Sequence, residues 1–500
     1  MIVGVLLLLG IIGTLHALSL KNRISGVTST VQSALTLAKA GEVPAASAKL
    51  DAVAGTLKSA NSTLHDSPDF YLLNLLPFGH QNVVAMRSSV TLALKLVNGG
   101  QRILKTAAPL IGPGGHLAIP FTNGYIPLGD LRSIQTSVAA LLTQLPRSYQ
   151  PPGGSLVVGP LRNAQTQLLA ETKKVHTELA QVNEALGVIG DLAGENGDRR
   201  FLIAVANEAE MRGAGGMILS YGVLQVVNGQ VKLAGFGEID NLALKSPAPV
   251  SFPADFLKTW GADMPNEQWR NATIMSDFTL DAPVLESMYQ KATGQTVDGV
   301  VQIDSTGLGA VLAGTGPLNV PGAGEVSQDN VVPLTMNEDY LDLTNRSQRH
   351  DFQALVAQAT FKALTTRQVS LRAMGNAVVQ AGKDRHILIY DNTPSVEADI
   401  KALGFDGGLP GPGRDFAQLT VQNFGGDKMD YYIDSALVIS GKRTAGKPLP
   451  LTVNIGLANT APPGQTNTTV FGPYQSSKNP PGEYEGVVTL YLPAGTTYLG

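Results

Sequence analysis

The hydrophobic pattern of the chain changes its period at the turn-forming residues 194–197, and this change constrains the fold more than any other feature. Before it, apolar side chains recur at alternating steps of three and four residues, which is the seam of a helix that packs in a bundle. The positions are Leu168, Val175, Leu179, Val182, Leu186 and Ile189, with Thr172 as the one polar member. After it, residues 201–206 form a short apolar run, and Asn228-Gly229 separates two further apolar segments, a strong hairpin signal. The sequence therefore predicts a helical bundle followed by a sheet.

A layered α/β core is predicted after the turn. Residues 297–303 have the pattern of a buried strand, and Asp304 is a suitable helix N-cap before a further strand at 318–320, which together make a compact β-α-β unit. An amphipathic helix is predicted from about Gln348 to Leu364.

The C-terminal residues alternate between apolar and polar side chains in two segments, around 451–457 and 488–492. Because turn residues separate these segments, the pattern predicts a β-sandwich-like part. We expect this part to be incomplete, since the chain stops directly after a strand.

The N-terminal segment between Ile2 and Leu20 is almost entirely apolar. As a helix it would be about 28 Å long at 1.5 Å per residue, close to the hydrocarbon thickness of a bilayer. A cleaved signal peptide is the alternative, and Lys21 and Arg23 follow the segment, whereas the positive-inside rule would place such charges before it. We predict an uncleaved, single-pass anchor in the lipid of the cell membrane, with the bulk of the chain extracytoplasmic.

The predicted fold class is α+β and multidomain, because 500 residues are too many for one ordinary core. We expect a transmembrane helix at 1–20, a helical bundle stalk at 21–194 with a Gly/Pro-rich interruption at 112–154, an α/β core at 195–436 and a β-rich part at 437–500.

Composition narrows the class of function. The formal net charge is -4 and no long run of basic residues occurs, so nucleic acid is not an expected partner. The chain has no cysteine, which removes disulfides, thiolate metal sites and cysteine nucleophiles. The seven histidines are scattered without zinc-ligand spacing, and phosphate-loop, dinucleotide and serine-hydrolase motifs are absent. No familiar catalytic signature therefore identifies an enzyme.

Polar residues are dense directly after the predicted strand at 201–206. Asn207, Glu208, Glu210 and Arg212 occur there, and glycines that let a backbone approach a ligand follow them. We expect the first three to bind a ligand from a loop held by the sheet. The alternative is a tight loop closed by a Glu–Arg ion pair.

Four further residues are expected to border the same pocket. Arg346 and Arg349 precede the predicted amphipathic helix, where the helix dipole favours anions, so a bound phosphate would explain the two arginines. Asn337 comes just before them, and Lys428 lies in a Gly-rich segment before a strand. The alternative interpretations are solvated surface arginines and an ordinary hairpin turn at Lys428.

Several blocks of the chain resemble a family of actinobacterial membrane-anchored proteins, the domain of unknown function family 4012. The blocks are residues 207–213, Ser220-Tyr221-Gly222, residues 297–304, Thr315-Gly316-Pro317 and residues 425–432. The resemblance spans about residues 200–435. It implies an anchored cell-envelope protein, and it brings no established activity.

The chain has, in order, a strand, an Arg-bearing loop, a hairpin that ends in Asp, a strand-helix unit that closes in Gly-x-Gly-Pro, and an Arg-containing stretch before a helix. In this order it more distantly resembles the LytR-CpsA-Psr family of cell-wall glycopolymer transferases. The resemblance implies that arginines hold the pyrophosphate of a polyprenyl-linked glycan while a carboxylate binds magnesium. By this resemblance Arg212, Asp240, Arg346 and Arg349 are catalytic candidates, and Asp240 is the Mg²⁺ ligand. The chain departs from that family after Arg212, where Gly-Ala-Gly stands in place of a following Asp, and before Asp240, where no Arg occurs.

Three hypotheses about function follow. The first is a membrane-anchored, extracytoplasmic envelope protein that binds an anionic, phosphate-bearing glycan or lipid-linked ligand. The second is a Mg-dependent phosphotransferase that attaches glycopolymers to the cell wall, which requires its site residues to converge on an apolar groove large enough for a lipid chain. The third is a sensor or interaction protein that relays ligand binding through the bundle. No oligomeric state is predicted.

Overall fold

The computed structural model describes most of the chain. The described residues are 30–34, 36–38, 40–110, 122–145, 154–321, 324–342, 346–367, 369–444, 449–473 and 479–499. The chain divides into two compact units: unit 1 comprises Met1–Pro120 and Pro127–Asp191, and unit 2 comprises Phe121–Ile126 and Leu192–Gly500.

Unit 1 is helical over its described residues. Its helices are α1 (Val43–Asp66), α2 (Pro68–Leu73), α3 (Pro77–Ala107), α4 (Leu128–Gln144) and α5 (Gly159–Leu192). One buried cluster joins α1 to α3 and includes Leu57 and Val90, and a second joins α3, α4 and α5 through Leu92 and Leu141. Leu168, Val175 and Leu179 of the predicted seam of α5 pack against this second cluster, whereas Val182 and Ile189 are exposed.

The expected fold class is corrected in one part, the transmembrane helix. The segment from Ile2 to Leu20 lies outside the described residues. Within the described ranges, no helix combines the length and the apolar character needed to cross a membrane. The long helices α3 and α5 intersperse charged and polar residues with apolar ones, as expected of helices that bury one face in a bundle. The fold class that the structure supports is α+β.

Unit 2 contains all the strands of the described residues. They are β1 (Arg199–Arg212), β2 (Gly215–Val227), β3 (Gln230–Glu238), β4 (Gly299–Ile303), β5 (Leu318–Val320), β6 (Gly324–Val326), β7 (Ile387–Asp391), β8 (Gln418–Asn423), β9 (Ile433–Gly441), β10 (Leu451–Asn459) and β11 (Gly486–Tyr491). Five of them form one mixed sheet in the order β3-β2-β1-β4-β7. β1 is parallel to β4, and the other neighbours are antiparallel.

Helices cover both faces of this sheet. The helices of unit 2 are α6 (Ala254–Trp260), α7 (Phe278–Thr293), α8 (Ser305–Thr315), α9 (Arg346–Thr366), α10 (Leu371–Lys383) and α11 (Pro394–Leu403), with short helical segments at Val331–Pro333, Leu334–Glu338, Asp339–Asp342 and Thr468–Phe471. α7 buries Phe278 and Leu285 against one face of the sheet, where Leu202 and Val300 lie. α8 and α9 lie over the opposite face, so the centre of unit 2 is a three-layer α/β/α core.

Two local predictions are confirmed. Asn228 and Gly229 form the turn between β2 and β3, and both have positive φ, the conformation that a two-residue hairpin turn requires. Asp304 is the N-cap of α8, where its side chain accepts a hydrogen bond from the backbone N–H of Gly307. In both places a few adjacent residues determine the structure, which is why the sequence was sufficient.

The predicted loop after residue 206 is wrong. β1 continues to Arg212, with register shifts against β2 on both sides of Asn207. The polar residues of this segment are paired with side chains from distant parts of unit 2, as described below. Asn and Glu are uncommon in strands, so the local signal favoured a loop.

The predicted β-α-β unit and β-sandwich are also corrected. β5 pairs with β6 in a separate two-stranded sheet, because β1 and β7 already occupy both sides of β4. Toward the C-terminus, β8 pairs with β11 and β9 pairs with β10, again as separate two-stranded sheets. Leu451 and Ile455 of β10 are exposed, so the alternation there does not mark a strand that packs on a second sheet.

Candidate functional site

The C-terminal ends of β1 and β4 and the start of β7 lie side by side at one end of the central sheet, and we call this end the edge. Polar side chains gather there. β1 and β4 are parallel and point toward this edge, while β7 runs the other way and begins there. Val205 pairs with Ile303, and Ile303 pairs with Ile387. Residues just after β4, just before β7 and in the irregular last part of β1 are therefore brought together.

One side chain from each strand region meets at this edge, and we call the three residues the His386 cluster: Glu208, Asp304 and His386. His386 Nδ1 lies 2.8 Å from Asp304 Oδ2 and 3.0 Å from Glu208 Oε1. The side chain of Asp304 is 3% exposed, that of Glu208 11% and that of His386 30%. The cluster is therefore sheltered but still open to solvent on the histidine side.

Both carboxylates are held from behind by the start of α8. Asp304 Oδ1 accepts a hydrogen bond of 2.8 Å from the backbone N–H of Gly307, which leaves Oδ2 directed at His386. Glu208 accepts hydrogen bonds from the hydroxyl and the backbone N–H of Thr306, at 3.0 and 3.3 Å. These contacts fix the orientation of the two acidic side chains before any ligand arrives.

The contacts of the cluster favour the protonated form of His386. Burial lowers the pKa of His386, but the hydrogen bonds and negative charges of Asp304 and Glu208 outweigh it and raise the pKa well above its ordinary value. Burial and the charge of Glu208 raise the pKa of Asp304, while His386 opposes that rise. An imidazolium between two carboxylates can exchange its proton with a ligand or give up its place to another cation.

A second polar group, the Lys428 network, consists of Asn207, Glu210, Tyr340, Gln353 and Lys428. The ammonium group of Lys428 contacts the carboxylate of Glu210 and lies 4.5 Å from the centroid of the Tyr340 ring. The Tyr340 hydroxyl accepts hydrogen bonds from Asn207 at 2.8 Å and from Gln353 at 2.9 Å. Burial lowers the pKa of Lys428, but Glu210 and Tyr340 reverse this and raise it, so the buried ammonium stays charged.

Arg212 is buried at the end of β1 and is tied to protein groups. Its guanidinium donates hydrogen bonds to Asn271 Oδ1 at 3.2 Å, to the Met211 carbonyl at 2.9 Å and to the Asn423 carbonyl at 3.1 Å. Burial lowers its pKa, while nearby carboxylates, including those of Glu210 and Asp430, oppose the effect. These bonds connect β1 to β8.

The other predicted site residues lie in different surroundings. Asp240 accepts a hydrogen bond of 2.7 Å from Arg270 in a solvent-exposed ion pair, and Arg270 adjoins the Asn271 that binds Arg212. Asn337 accepts a hydrogen bond of 2.9 Å from the Tyr432 hydroxyl. Arg346 and Arg349 belong to the first turn of α9, and their side chains lie outside the described part of the chain.

Sequence reasoning identified Glu208 but missed its two partners in the cluster. The sequence predicts only a helix cap at Asp304, yet its second oxygen binds His386. His386 is one of seven histidines without zinc-ligand spacing, although its place directly before the apolar run of β7 puts it at a strand end. That position was the one local signal available.

An apolar cavity of about 150 Å³ lies between the sheet and α9 and reaches Asp304 of the cluster. Its apolar lining comes from the sheet, α8 and α9, and includes Ile203, Val205, Leu219, Leu233, Phe236, Ile303, Leu308, Val311, Val356, Ala357, Phe361 and Leu364. Its polar lining includes Asn207, Ser305, Thr335 and Gln353, which are linked to one another in pairs or through Tyr340 by hydrogen bonds. The cavity is therefore amphipathic.

The fold and site describe an α+β protein with a buried polar edge beside an apolar cavity. Residues 196–340 match a family model described as "Protein of unknown function (DUF4012)", which confirms that part of the resemblance. The match includes Glu208 and Asp304 but ends before His386 and Lys428. No curated protein and no solved structure matches the chain. The LytR-CpsA-Psr resemblance, the actinobacterial origin and the extracytoplasmic location stay predictions.

Proposed function

We propose that unit 2 binds an amphipathic ligand, with its hydrocarbon part in the cavity under α9 and its polar head group beside the His386 cluster. The observation that carries this function is the lining of the cavity, where aliphatic and aromatic side chains meet Asp304, Ser305 and Asn207. Interiors of proteins are packed to nearly crystal density, and an apolar void costs stability. A void that opens onto charged groups is the form expected of a binding site.

The volume of the cavity limits the hydrocarbon part. A dry cavity of roughly 150 Å³ accepts a molecule the size of benzene, so a short branched or linear hydrocarbon segment can enter. Val356 and Phe361 of α9 line the cavity, so a longer hydrocarbon chain has to move this helix or extend out of the cavity. The ligand class is therefore a lipid-linked molecule that inserts one end of its chain.

The polar lining favours a head group with several oxygen atoms. Ser305 and Thr335 share a hydrogen bond of 2.8 Å, and Gln353 donates to Tyr340 at 2.9 Å, so hydroxyl and amide groups are already directed to this edge. A sugar or a phosphate can exchange hydrogen bonds with such groups. An anionic head group would meet the negative charges of Asp304 and Glu208, so its binding requires that these be neutralised.

Phosphoryl transfer to a cell-wall polymer is the less supported alternative. Such an enzyme needs arginine forks free to hold pyrophosphate, whereas Arg212 donates to Asn271 and to two backbone carbonyls. Asp240, its expected magnesium ligand, contacts Arg270.

Calorimetric titration of the full chain with three ten-carbon amphiphiles, each below its micelle concentration, tests the proposal. Decyl phosphate, decyl maltoside and decyltrimethylammonium share one hydrocarbon chain and differ in the charge of the head group. Binding of the phosphate or the maltoside is expected. If none of the three binds, or if all three bind equally well, the proposed site is wrong.

A cavity-filling variant assigns the binding to this place. Ala357→Phe extends a ring from α9 into the cavity and is expected to weaken binding at least tenfold. Ala398→Phe is the matched control, because Ala398 is an exposed alanine of α11. Circular dichroism of both variants establishes that they fold. A folded Ala357→Phe chain that binds like the control would place the ligand elsewhere.

A further inference from the structure

The three ligand-type atoms of the His386 cluster lie near one another, and both carboxylate oxygens are about as far from the imidazole nitrogen as two donors of one metal ion are from each other. Glu208, Asp304 and His386 each offer one such atom, and all three atoms lie within 4.8 Å of one another. Donors that bind one ion at about 2.1 Å are about 3.0–3.5 Å apart in octahedral or tetrahedral geometry. His386 Nδ1 is 2.8 Å from Asp304 Oδ2 and 3.0 Å from Glu208 Oε1. In the part of the chain that the structure describes, this is the one group of its kind.

The surroundings hold these donors in the orientation that a metal site needs. Asp304 accepts a hydrogen bond from the Gly307 N–H with Oδ1 and directs Oδ2 at His386. Both oxygens of Glu208 accept hydrogen bonds from Thr306, and Oε1 also faces His386. The backbone of His386 is fixed as well, since its N–H donates to the carbonyl of Ala381. Outer hydrogen bonds of this kind orient metal ligands and are a general feature of metal sites.

We propose that Glu208, Asp304 and His386 bind one divalent first-row transition-metal ion, with Zn²⁺ and Mn²⁺ as the candidates. The donor set is one imidazole nitrogen and two carboxylate oxygens, which suits these ions better than the all-oxygen sites of Mg²⁺ and Ca²⁺. The absence of cysteine excludes a thiolate site. This metal site does not depend on the amphipathic ligand of the proposed function.

Three protein ligands leave further coordination positions open. Zinc sites of this type keep a position for water or substrate. Asp304 also lines the apolar cavity, so the open positions adjoin the place assigned to the head group. A divalent ion there offsets the charges of Asp304 and Glu208, and a head-group oxygen can complete its coordination; this last step rests on the proposed function.

Metal binding is tested on the full chain after treatment with a chelator and exhaustive dialysis. Equilibrium dialysis against Zn²⁺, Mn²⁺ or Mg²⁺, followed by elemental analysis, is expected to give one Zn²⁺ or Mn²⁺ per chain. Binding of Mg²⁺ is expected to be at least tenfold weaker. A chain that retains no Zn²⁺ or Mn²⁺ would overturn the metal site, and so would equal affinity for Mg²⁺.

Variants assign the ion to the cluster. His386→Gln and Asp304→Asn are each expected to lower the affinity for Zn²⁺ at least tenfold. If His386→Gln does not fold, Asp304→Asn still tests the site, because asparagine can replace aspartate as the N-cap of α8. His65→Gln is the matched control, because His65 is an exposed histidine in α1. Co²⁺ serves as a spectroscopic probe, and its visible absorption is expected to change in Asp304→Asn but not in His65→Gln. Unchanged affinity and spectra in Asp304→Asn would show that the cluster is only an ion pair between carboxylates and imidazolium.

Titration with decyl phosphate in the presence and absence of Zn²⁺ separates the two proposals. Tighter binding with Zn²⁺ is expected for decyl phosphate, and no change for decyl maltoside. If Zn²⁺ binds but the phosphate titration is unchanged, the ion does not contact the head group. If decyl phosphate binds but Zn²⁺ does not, the metal site is wrong and the amphipathic site remains.

Discussion

Lys428 and Glu210 form an ion pair in the interior of unit 2, although 218 positions separate them in the sequence. Their side chains are only 6% and 10% exposed. The pair connects β1 of the central sheet to the segment that follows β8, beside the hydrogen bond from the Met211 N–H to Asp430. Removing charged groups from water is costly, and a buried pair persists because each partner satisfies the other.

Loss of one partner is therefore expected to be more harmful than loss of both. Lys428→Met leaves Glu210 buried without its cation and should lower the free energy of unfolding of unit 2 by about 3–5 kcal/mol. Urea denaturation followed by tryptophan fluorescence measures this change, because Trp260 and Trp269, the only tryptophans, both belong to unit 2. The double variant Glu210→Leu with Lys428→Met is the control, and its free energy of unfolding should fall by less than that of the single variant. An equal or larger loss in the double variant would contradict this account.

Gly216 lies where β2 passes closely by the bulged part of β1. A Cβ atom at this position would overlap the backbone carbonyl group of Asn207, which cannot move away without disturbing β1. Gly216→Ala is therefore expected to destabilise unit 2 by about 1–3 kcal/mol, the usual cost of overpacking. The same urea experiment measures the loss. Gly235→Ala in β3 is the control, since an added Cβ there meets no atom within 4 Å and should leave stability nearly unchanged.

Asp430 makes the stability of unit 2 depend on pH. Burial raises the pKa of Asp430 to about 6, although hydrogen bonds from Met211, Tyr484 and Asn423 oppose the rise. The folded chain thus holds this proton more tightly than the unfolded chain, in which the carboxyl titrates near 3.9. Stability from this group is complete below about pH 4 and is lost as the pH rises to about 6, by up to about 3 kcal/mol. Burial raises the pKa of Asp427 as well, and its contribution has the same sign.

The variant Asp430→Asn isolates this effect, because an amide resembles the protonated carboxyl group. The difference in unfolding free energy between the wild type and the variant, measured in urea from pH 4 to pH 7, should change in favour of the variant as the pH rises. A difference that does not vary with pH would contradict a raised pKa at Asp430. Asp415→Asn is the control, since Asp415 is exposed.

The sequence was sufficient where a few neighbouring residues decide the structure. Asn228-Gly229 determines its turn, and the Asp304 side chain caps α8 through a residue three positions away. It was insufficient for the candidate site, because His386 is 82 positions from Asp304 and their contact depends on β7 lying beside β4. The same reason explains the extension of β1, where Lys428 supplies the charge that Glu210 needs inside a strand. A local sequence pattern does not reveal contact partners that are distant in sequence and are brought together only by the order of the strands.

Arg212 is the residue for which the sequence and the structure suggest different roles. The resemblance to glycopolymer transferases makes it a phosphate ligand, whereas its hydrogen bonds to Asn271 and Asn423 make it a connection between β1 and its neighbours. Arg212→Lys keeps the charge but cannot reproduce the planar fork. We expect this variant to lower the unfolding free energy of unit 2 by about 1–3 kcal/mol, since buried acceptors lose their donors.

The affinity for decyl phosphate distinguishes the two roles. A residue that acts only in the structure should leave the affinity of the folded Arg212→Lys chain within about twofold of the wild type, while loss of a bidentate phosphate contact should weaken binding about tenfold or more. Calorimetric titration compares the affinities of the wild type and of Arg212→Lys for decyl phosphate. It is carried out well below the unfolding temperature of the variant, so that unfolded protein does not lower the apparent affinity. A variant of normal stability with tenfold weaker binding would restore Arg212 as a phosphate ligand, and with it the case for a transferase.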